Sequence, residues 1–178
     1  MNKPQSNRTI WTIGHSTRTI EEFLKMLESF QIMLVVDIRR FPGSRKYPHF
    51  NQEALQIPLK ENNTAYIHFE ALGGRRKARP DSINTIWRNV SFQGNADYME
   101  TPAFKSAIDK LELLALKQHT IYMCSEAVWW RCHRSMVSDI FQFNGWIVNH
   151  IIGVGKETEH PYSAPANIER NRLTYHDE

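Results

Sequence analysis

The sequence predicts a single-domain α/β fold: an open, mostly parallel sheet of about five strands flanked by helices, a Rossmann-like three-layer arrangement. Three observations predict it. Short apolar runs of strand length recur from Thr9 to Gly153, segments with helical spacing separate them, and the runs at Met33–Val36 and Thr120–Met123 are continuous rather than alternating. Continuous apolar strands are those covered on both faces, as in parallel sheets. The alternation βαβαβαβαβ calls for right-handed crossovers and leaves the strand order open.

Each element has its own signal. Ile10-Trp11-Thr12-Ile13 is the first strand. Thr19-Ile20-Glu21-Glu22 fits a capping box, and Phe23, Leu24, Leu27 and Phe30 follow at helical spacing. Met33–Val36 is the second strand. A helix of about a dozen residues starts at Asn51, with Pro58 expected to kink or end it unless it lies near the C-terminal boundary. Ala65–Phe69 is the third strand, and residues 75–99 form a long loop with one short helix. Thr101-Pro102 opens a helix with a hydroxyl cap and a proline at its first position, and Phe104, Ala107, Ile108, Leu111, Leu114 and Ala115 form its buried stripe. Thr120–Met123 is the fourth strand. A helix starting near Cys132 carries Met136, Val137, Ile140 and Phe141 and ends before Gly145, and the fifth strand runs from Trp146 to Ile152.

The domain is expected over residues 9–155, with partly ordered tails over 1–8 and 156–178, since no linker or repeat interrupts it and 41% apolar residues in 178 suffice for one core. No run approaches the roughly 18 apolar residues of a membrane span, and no leader-like apolar segment opens the chain. A cytoplasmic protein with no membrane partner is expected. Two cysteines eight positions apart do not make a disulfide framework. The net charge of +3 is small, but arginines concentrate after the strands, which favours an anionic partner.

The chemistry-bearing residues also follow the strands. In an open parallel sheet the carboxyl ends of the strands share an edge, where ligands bind. His15 and Ser16 follow strand one; Asp37, Arg39, Arg40 and Arg45 follow strand two; Gly73, Gly74, Arg75 and Arg76 follow strand three; Cys124, Glu126, Cys132, His133 and Arg134 follow strand four. These should meet in one cleft. Cys132, at a helix start beside His and Arg, is the first candidate nucleophile, because dipole and cations favour a thiolate. Cys124 is the second, with the bland reading of a buried small residue. From Cys124 to Arg131 the chain is similar to a strand, anion-cradling loop and helix, although Trp129 and Trp130 are bulky for a tight cradle. Glu126 and Asp37 are the candidate proton carriers, Glu126 through desolvation by the tryptophans and Asp37 against a structural pairing with Arg39. His15, Ser16, Arg39, Arg40, Arg45, Gly73, Gly74, Arg75, Arg76, His133 and Arg134 are the candidate anion ligands. No P-loop or dinucleotide fingerprint occurs, and no paired spacing marks a zinc site, so none is assigned; Cys124, Cys132, His133, His15 and His49 are the donors weighed for one.

Five ordered phrases carry a resemblance: TIGHSTRTIEEFLKML, VVDIRRFPGSRKYPHFN, LGGRRK, NADYMETPAF and MCSEAVWWRCHRSMVSDI. Together, over about Thr9 to His150, the chain resembles the domain of unknown function 488 family. The resemblance implies a compact α/β domain of prokaryotic type and supplies no reaction, cofactor or catalytic residue. One departure lies before Cys132, where Trp129-Trp130-Arg131 stand near an expected proline.

Two function classes follow. The first is an enzyme, a thiol-dependent transferase or hydrolase, acting on a phosphorylated or nucleotide-type anionic substrate. The alternative is a nucleic-acid-binding module that uses the arginines on phosphate and Trp129, Trp130, Trp87 and Tyr47 on bases. Acids, thiols and histidines together exceed what backbone binding requires, which favours the enzyme. Cofactor and oligomeric state are open.

Overall fold

A computed structural model of the chain describes residues 8–176. The tail expectation for residues 1–7 and 177–178 lies outside them. The elements run β1 (Thr9–Gly14), α1 (Ile20–Ser29), β2 (Leu34–Asp37), α2 (Gln52–Glu61), β3 (Ala65–His68), α3 (Val90–Met99), α4 (Pro102–Ala115), β4 (Thr120–Cys124), α5 (Arg134–Phe143) and β5 (Ile147–Gly153). Beyond Gly153, where periodicity offers no element, the chain adds β6 (Lys156–Glu159) and a small hairpin of β7 (Asn167–Glu169) and β8 (Arg172–Thr174). All five expected strands form.

The caps act as their sequence suggests. Thr19 Oγ1 accepts from the Glu22 amide and Thr101 Oγ1 from the Phe104 amide, so each helix start has a satisfied donor. Gly145, at φ +86, closes α5 with its amide on the Gln142 carbonyl. Helix α2 runs through Pro58 to Glu61, because the proline lies in the last turn and its own carbonyl still accepts from Asn62. Leu55 and Leu59 bury the inner face of that helix.

The sheet order is β3-β2-β4-β1-β5-β6, with the first five strands parallel and β6 antiparallel to β5. Helices α1 and α2 cover one face, packing Phe23, Leu27, Leu55 and Leu59 on Ile13, Val35 and Ile121. Helices α4 and α5 cover the other, packing Phe104, Leu111, Val137 and Phe141 on Val36, Tyr122 and Val148. Three layers result, with β1, β2 and β4 at the centre.

This order positions the site. From β1 the chain leaves over one face toward β2, and from β4 it leaves over the other face toward β5, although β1 and β4 are neighbours in register at Gly14 and Cys124. Exits that diverge from adjacent strands open a crevice at their carboxyl ends. The ladder continues just past the strands, with the His15 amide on the Cys124 carbonyl and the Ser16 amide on the Ser125 carbonyl, both at 2.9 Å. Gly14 is required there: a Cβ would lie 1.8 Å from the Glu126 carbonyl oxygen.

A buried polar chain ties the C-terminal segment to α5. Asp139, fully buried, accepts from His160 Nε2, the Ser163 amide and the Tyr175 hydroxyl, each at 2.8 Å. His160 Nδ1 lies 2.9 Å from His150 Nε2, and His150 Nδ1 lies 2.6 Å from Thr12 Oγ1. One proton assignment satisfies every member: Thr12 donates to His150, His150 to His160, and His160 to Asp139. Trp129 stacks on His150 at 4.6 Å and 4°, so the chain between β4 and α5 rests on the same network. Asp139→Ala strands three buried donors and is expected to lower the unfolding free energy by about 3 kcal/mol in a urea titration, whereas Tyr175→Phe costs about 1 kcal/mol.

Candidate functional site

The ends of β1, β2 and β4 and the segment after β3 enclose a cavity of about 470 Å³. That is the size of a small-molecule site. The structure brings His15, Ser16, Arg39, Arg40, Gly74, Arg75, Cys124, Glu126 and His133 into its lining. Residues scattered over about 120 positions of the chain share one rim, as strand ends of a parallel sheet do.

Cys124 closes β4 and is 7% exposed at the cavity. Cys132, 5% exposed, lies behind it and does not line the cavity. His133 Nδ1 is 3.9 Å from Cys124 Sγ and 3.6 Å from Cys132 Sγ. On its other side His133 Nε2 donates to the Ile38 carbonyl at 3.2 Å, so Nδ1 is the nitrogen left facing the two sulfurs. The ring is seated by Gly74, where a Cβ would come within 2.8 Å of it. The Cys132 thiol donating to Cys124, with His133 and Arg134 nearby, holds Cys124 well below the ordinary thiol range despite burial. Giving that hydrogen bond, together with burial, holds Cys132 well above it. Of the two candidate sulfurs, Cys124 is the one at the cavity, and Cys132 is buried outside its lining.

Asp37 is fully buried and does not line the cavity. Its Oδ1 accepts from Arg39 Nε at 2.9 Å and from the Arg39 amide at 3.1 Å, and its Oδ2 accepts from Arg39 Nη2 and the Tyr66 hydroxyl, both at 2.6 Å. With four donors on one carboxylate, Asp37 fixes the orientation of Arg39, the structural pairing weighed against the proton-carrier role. Burial, then Asp37 itself, pushes the Tyr66 hydroxyl well above its ordinary value and keeps it a donor. Arg39 in turn reaches the Phe50 carbonyl at 2.8 Å and His15 Nε2 at 3.3 Å. His15 donates through Nδ1 to the Ser16 carbonyl at 2.9 Å and stacks on Phe50 at 4.3 Å. Burial, with Arg39 adding to it, lowers the His15 pKa to about 4. His15 is thus neutral, with both nitrogens engaged.

The cations divide. Arg40, Lys46 and Arg75 line the cavity, and Arg40 Nη1 donates to the Arg75 carbonyl at 2.9 Å, joining the two loops. Arg45 does not line it, whereas its neighbour Lys46 does. Arg76 turns away, donating to the Gly73 and Glu70 carbonyls and covering the Tyr98 ring at 3.8 Å. Arg134 is 1% exposed and donates to the Glu126 and Ala127 carbonyls at 3.1 and 3.3 Å. It braces the chain after Cys124 and does not line the cavity. Gly73 packs on Arg40, where a Cβ would meet its backbone at 2.8 Å. Ser16 and Arg75 both have positive φ, 51° and 58°, a strained backbone at the rim of a site.

Glu126 is exposed at the mouth rather than desolvated by the tryptophans. Residues 129–131 form one 3-10 turn, which places Trp129 inward on His150 and leaves Trp130 57% exposed. Trp87 packs on Phe92 and Tyr175. Among the described residues Cys124, Cys132 and His133 bring three donor atoms within 4.8 Å of one another, one fewer than a closed zinc centre takes. His49, the remaining donor considered, spends its Nε2 on the Arg18 carbonyl.

A protein-family model described as "Domain of unknown function DUF488" matches residues 19–141, a span that contains α1 through most of α5 and every cavity residue named above except His15 and Ser16. No curated protein and no solved structure matches the chain.

Two buried histidines set a pH dependence. Burial lowers His15 to about 4 and His150 to about 2, both from an ordinary 6.5. Below pH 6.5 the unfolded chain takes up these protons and the folded chain does not, so stability falls as pH falls. Each group's slope grows from about 0.7 kcal/mol per pH unit at pH 6.5 toward about 1.4 near pH 5, approaching roughly 2.7 for the two together. Urea midpoints at pH 7, 6 and 5 measure it, and a flat profile would contradict neutral burial of both rings.

Proposed function

The chain belongs to the DUF488 family, and we propose that it is a thiol-dependent enzyme acting on an anionic, phosphorylated or nucleotide-type small molecule, with Cys124 as the nucleophile. The observation that carries this reading is the placement of one sulfur. Cys124 Sγ opens onto the cavity with His133 Nδ1 at 3.9 Å on its buried side and Arg40, Lys46 and Arg75 on the rim. A nucleophile within reach of a proton-exchanging nitrogen is the minimal arrangement for covalent catalysis. In this reading His133 moves the proton, the three cations hold the anion, and Arg39 and Arg134 keep the surrounding loops in place. A reducing, cytoplasmic setting of prokaryotic type suits two free thiols.

Nucleic-acid binding without turnover has less support. Trp129 and Trp87 spend their faces on His150, Phe92 and Tyr175, which leaves the exposed Trp130 and the half-buried Tyr47 of the cavity lining from the expected stacking platform. Arg76 and Arg134 are likewise engaged with carbonyls of the fold.

Iodoacetate labelling at pH 7, read by peptide mass spectrometry, tests the reading. Cys124 should be carboxymethylated at least about tenfold faster than free cysteine, and Cys132 should not. Inorganic phosphate should slow the labelling, and Arg75→Ala should abolish that protection with little change in melting temperature. If neither thiol reacts faster than free cysteine, the nucleophile is lost; if phosphate does not protect, the anionic substrate is.

A further inference from the structure

The reading of Cys124 as nucleophile leaves Cys132 without a role, and its position supplies one. The two sulfurs lie within 4.8 Å of each other and share His133 Nδ1 at 3.9 and 3.6 Å. One faces the cavity and the other stands behind it. Cys132 Sγ also accepts the Arg134 amide at 3.4 Å, at the first turn of α5, where a developing thiolate is favoured. An adduct formed on Cys124 therefore has a second thiol within 4.8 Å, with His133 Nδ1 beside both sulfurs.

We propose that Cys132 is a resolving thiol, and that the chain performs thiol–disulfide exchange on small anionic disulfides, releasing two thiols and closing a Cys124–Cys132 bond. The proposal rests on the Cys124 reading and names its substrate class. In the first step the Cys124 thiolate attacks one sulfur of the substrate disulfide; a Cys124–substrate disulfide forms, the substrate S–S bond breaks, and one half leaves as a thiolate. In the second step Cys132 gives its proton to His133 Nδ1 and attacks Cys124 Sγ. The mixed disulfide breaks, and the second half leaves and takes that proton. The substrate gains two electrons and the cysteine pair loses two. An external dithiol, itself oxidised to a disulfide, resets the pair. The cationic rim selects disulfides that carry carboxylate or phosphate groups.

The chain between the cysteines is held at its middle by Arg134 on the Glu126 and Ala127 carbonyls and by Trp129 on His150, while Cys132 itself caps a single 3-10 turn and precedes α5. Bond formation requires side-chain rotation at positions flanking those anchors.

The test uses 5,5′-dithiobis(2-nitrobenzoate), a dianionic disulfide, with the reduced full-length chain. The wild type should release both thiobenzoate halves and finish as an adduct-free internal disulfide, by absorbance and intact mass. Cys132→Ser should release one half and keep a stable mixed disulfide on Cys124; Cys132→Ala repeats the test with a different side chain, and circular dichroism confirms that each variant is folded. A wild-type protein that retains the adduct overturns the resolving role while leaving the nucleophile intact. Failure of Cys124 to react faster than free cysteine instead overturns the reading beneath it. A neutral dipyridyl disulfide should react more slowly than the dianion, and Arg75→Ala should narrow that gap; an unchanged gap overturns the anionic class.

Discussion

The pairing of β1 with β4 is the constraint on which the rest of the molecule depends. It sets Gly14 beside Cys124, and because the chain leaves these neighbours in opposite directions it separates α1 from α5 and opens the crevice. The surroundings of Cys124 are organised around that parting. The missing Cβ of Gly14 lets the chain after Cys124 pass against it, and Arg134 reaches from α5 to hold the same stretch by its carbonyls.

Around this seam the buried charges are arranged in pairs and chains rather than left to solvent. The bidentate Asp37–Arg39 pair at the end of β2 fixes His15 and the Phe50 carbonyl, and Asp139 fixes His160 and Tyr175 on the opposite face. A buried ion pair is weak evidence of net stability, since desolvation offsets most of the attraction. Its contribution is orientation. Arg39 holds its neighbours in one geometry, and the His150–His160–Asp139 chain gives Trp129 a flat surface on which the segment beside the thiols is seated.

Local signals in the sequence are sufficient for the parallel strands and the two hydroxyl caps, because each depends on a few adjacent residues. Strand order is not local: nothing in Met33–Val36 or Thr120–Met123 encodes that β4 inserts between β2 and β1. Strand β6 is exposed at all four positions, so no apolar pattern announces it. Within the site, the convergence of the segments was legible and the direction of each side chain was not. Arg75 and Arg76 are adjacent, yet the positive φ at Arg75 sends one to the cavity and the other onto Tyr98. Arg45 and Lys46 divide in the same way, and Cys124 and Cys132 divide by depth. Such choices depend on loop dihedrals, which residue type constrains weakly. Arg134 reads as a surface cation by type and is the largest fully buried side chain, because two loop carbonyls were waiting for it.

The placement of β1 between β4 and β5 also orders events in time. Strand β1 finds its hydrogen-bonding partners only at Ile121 and beyond and at Ile147 and beyond, more than a hundred residues later. Such distant pairing makes assembly slow and concerted, because loop closure must precede any reward from contact. Until β1 has paired with β4, the seam at Gly14 and Cys124 and the crevice beside it do not exist, so the cavity is among the last features of the fold to form.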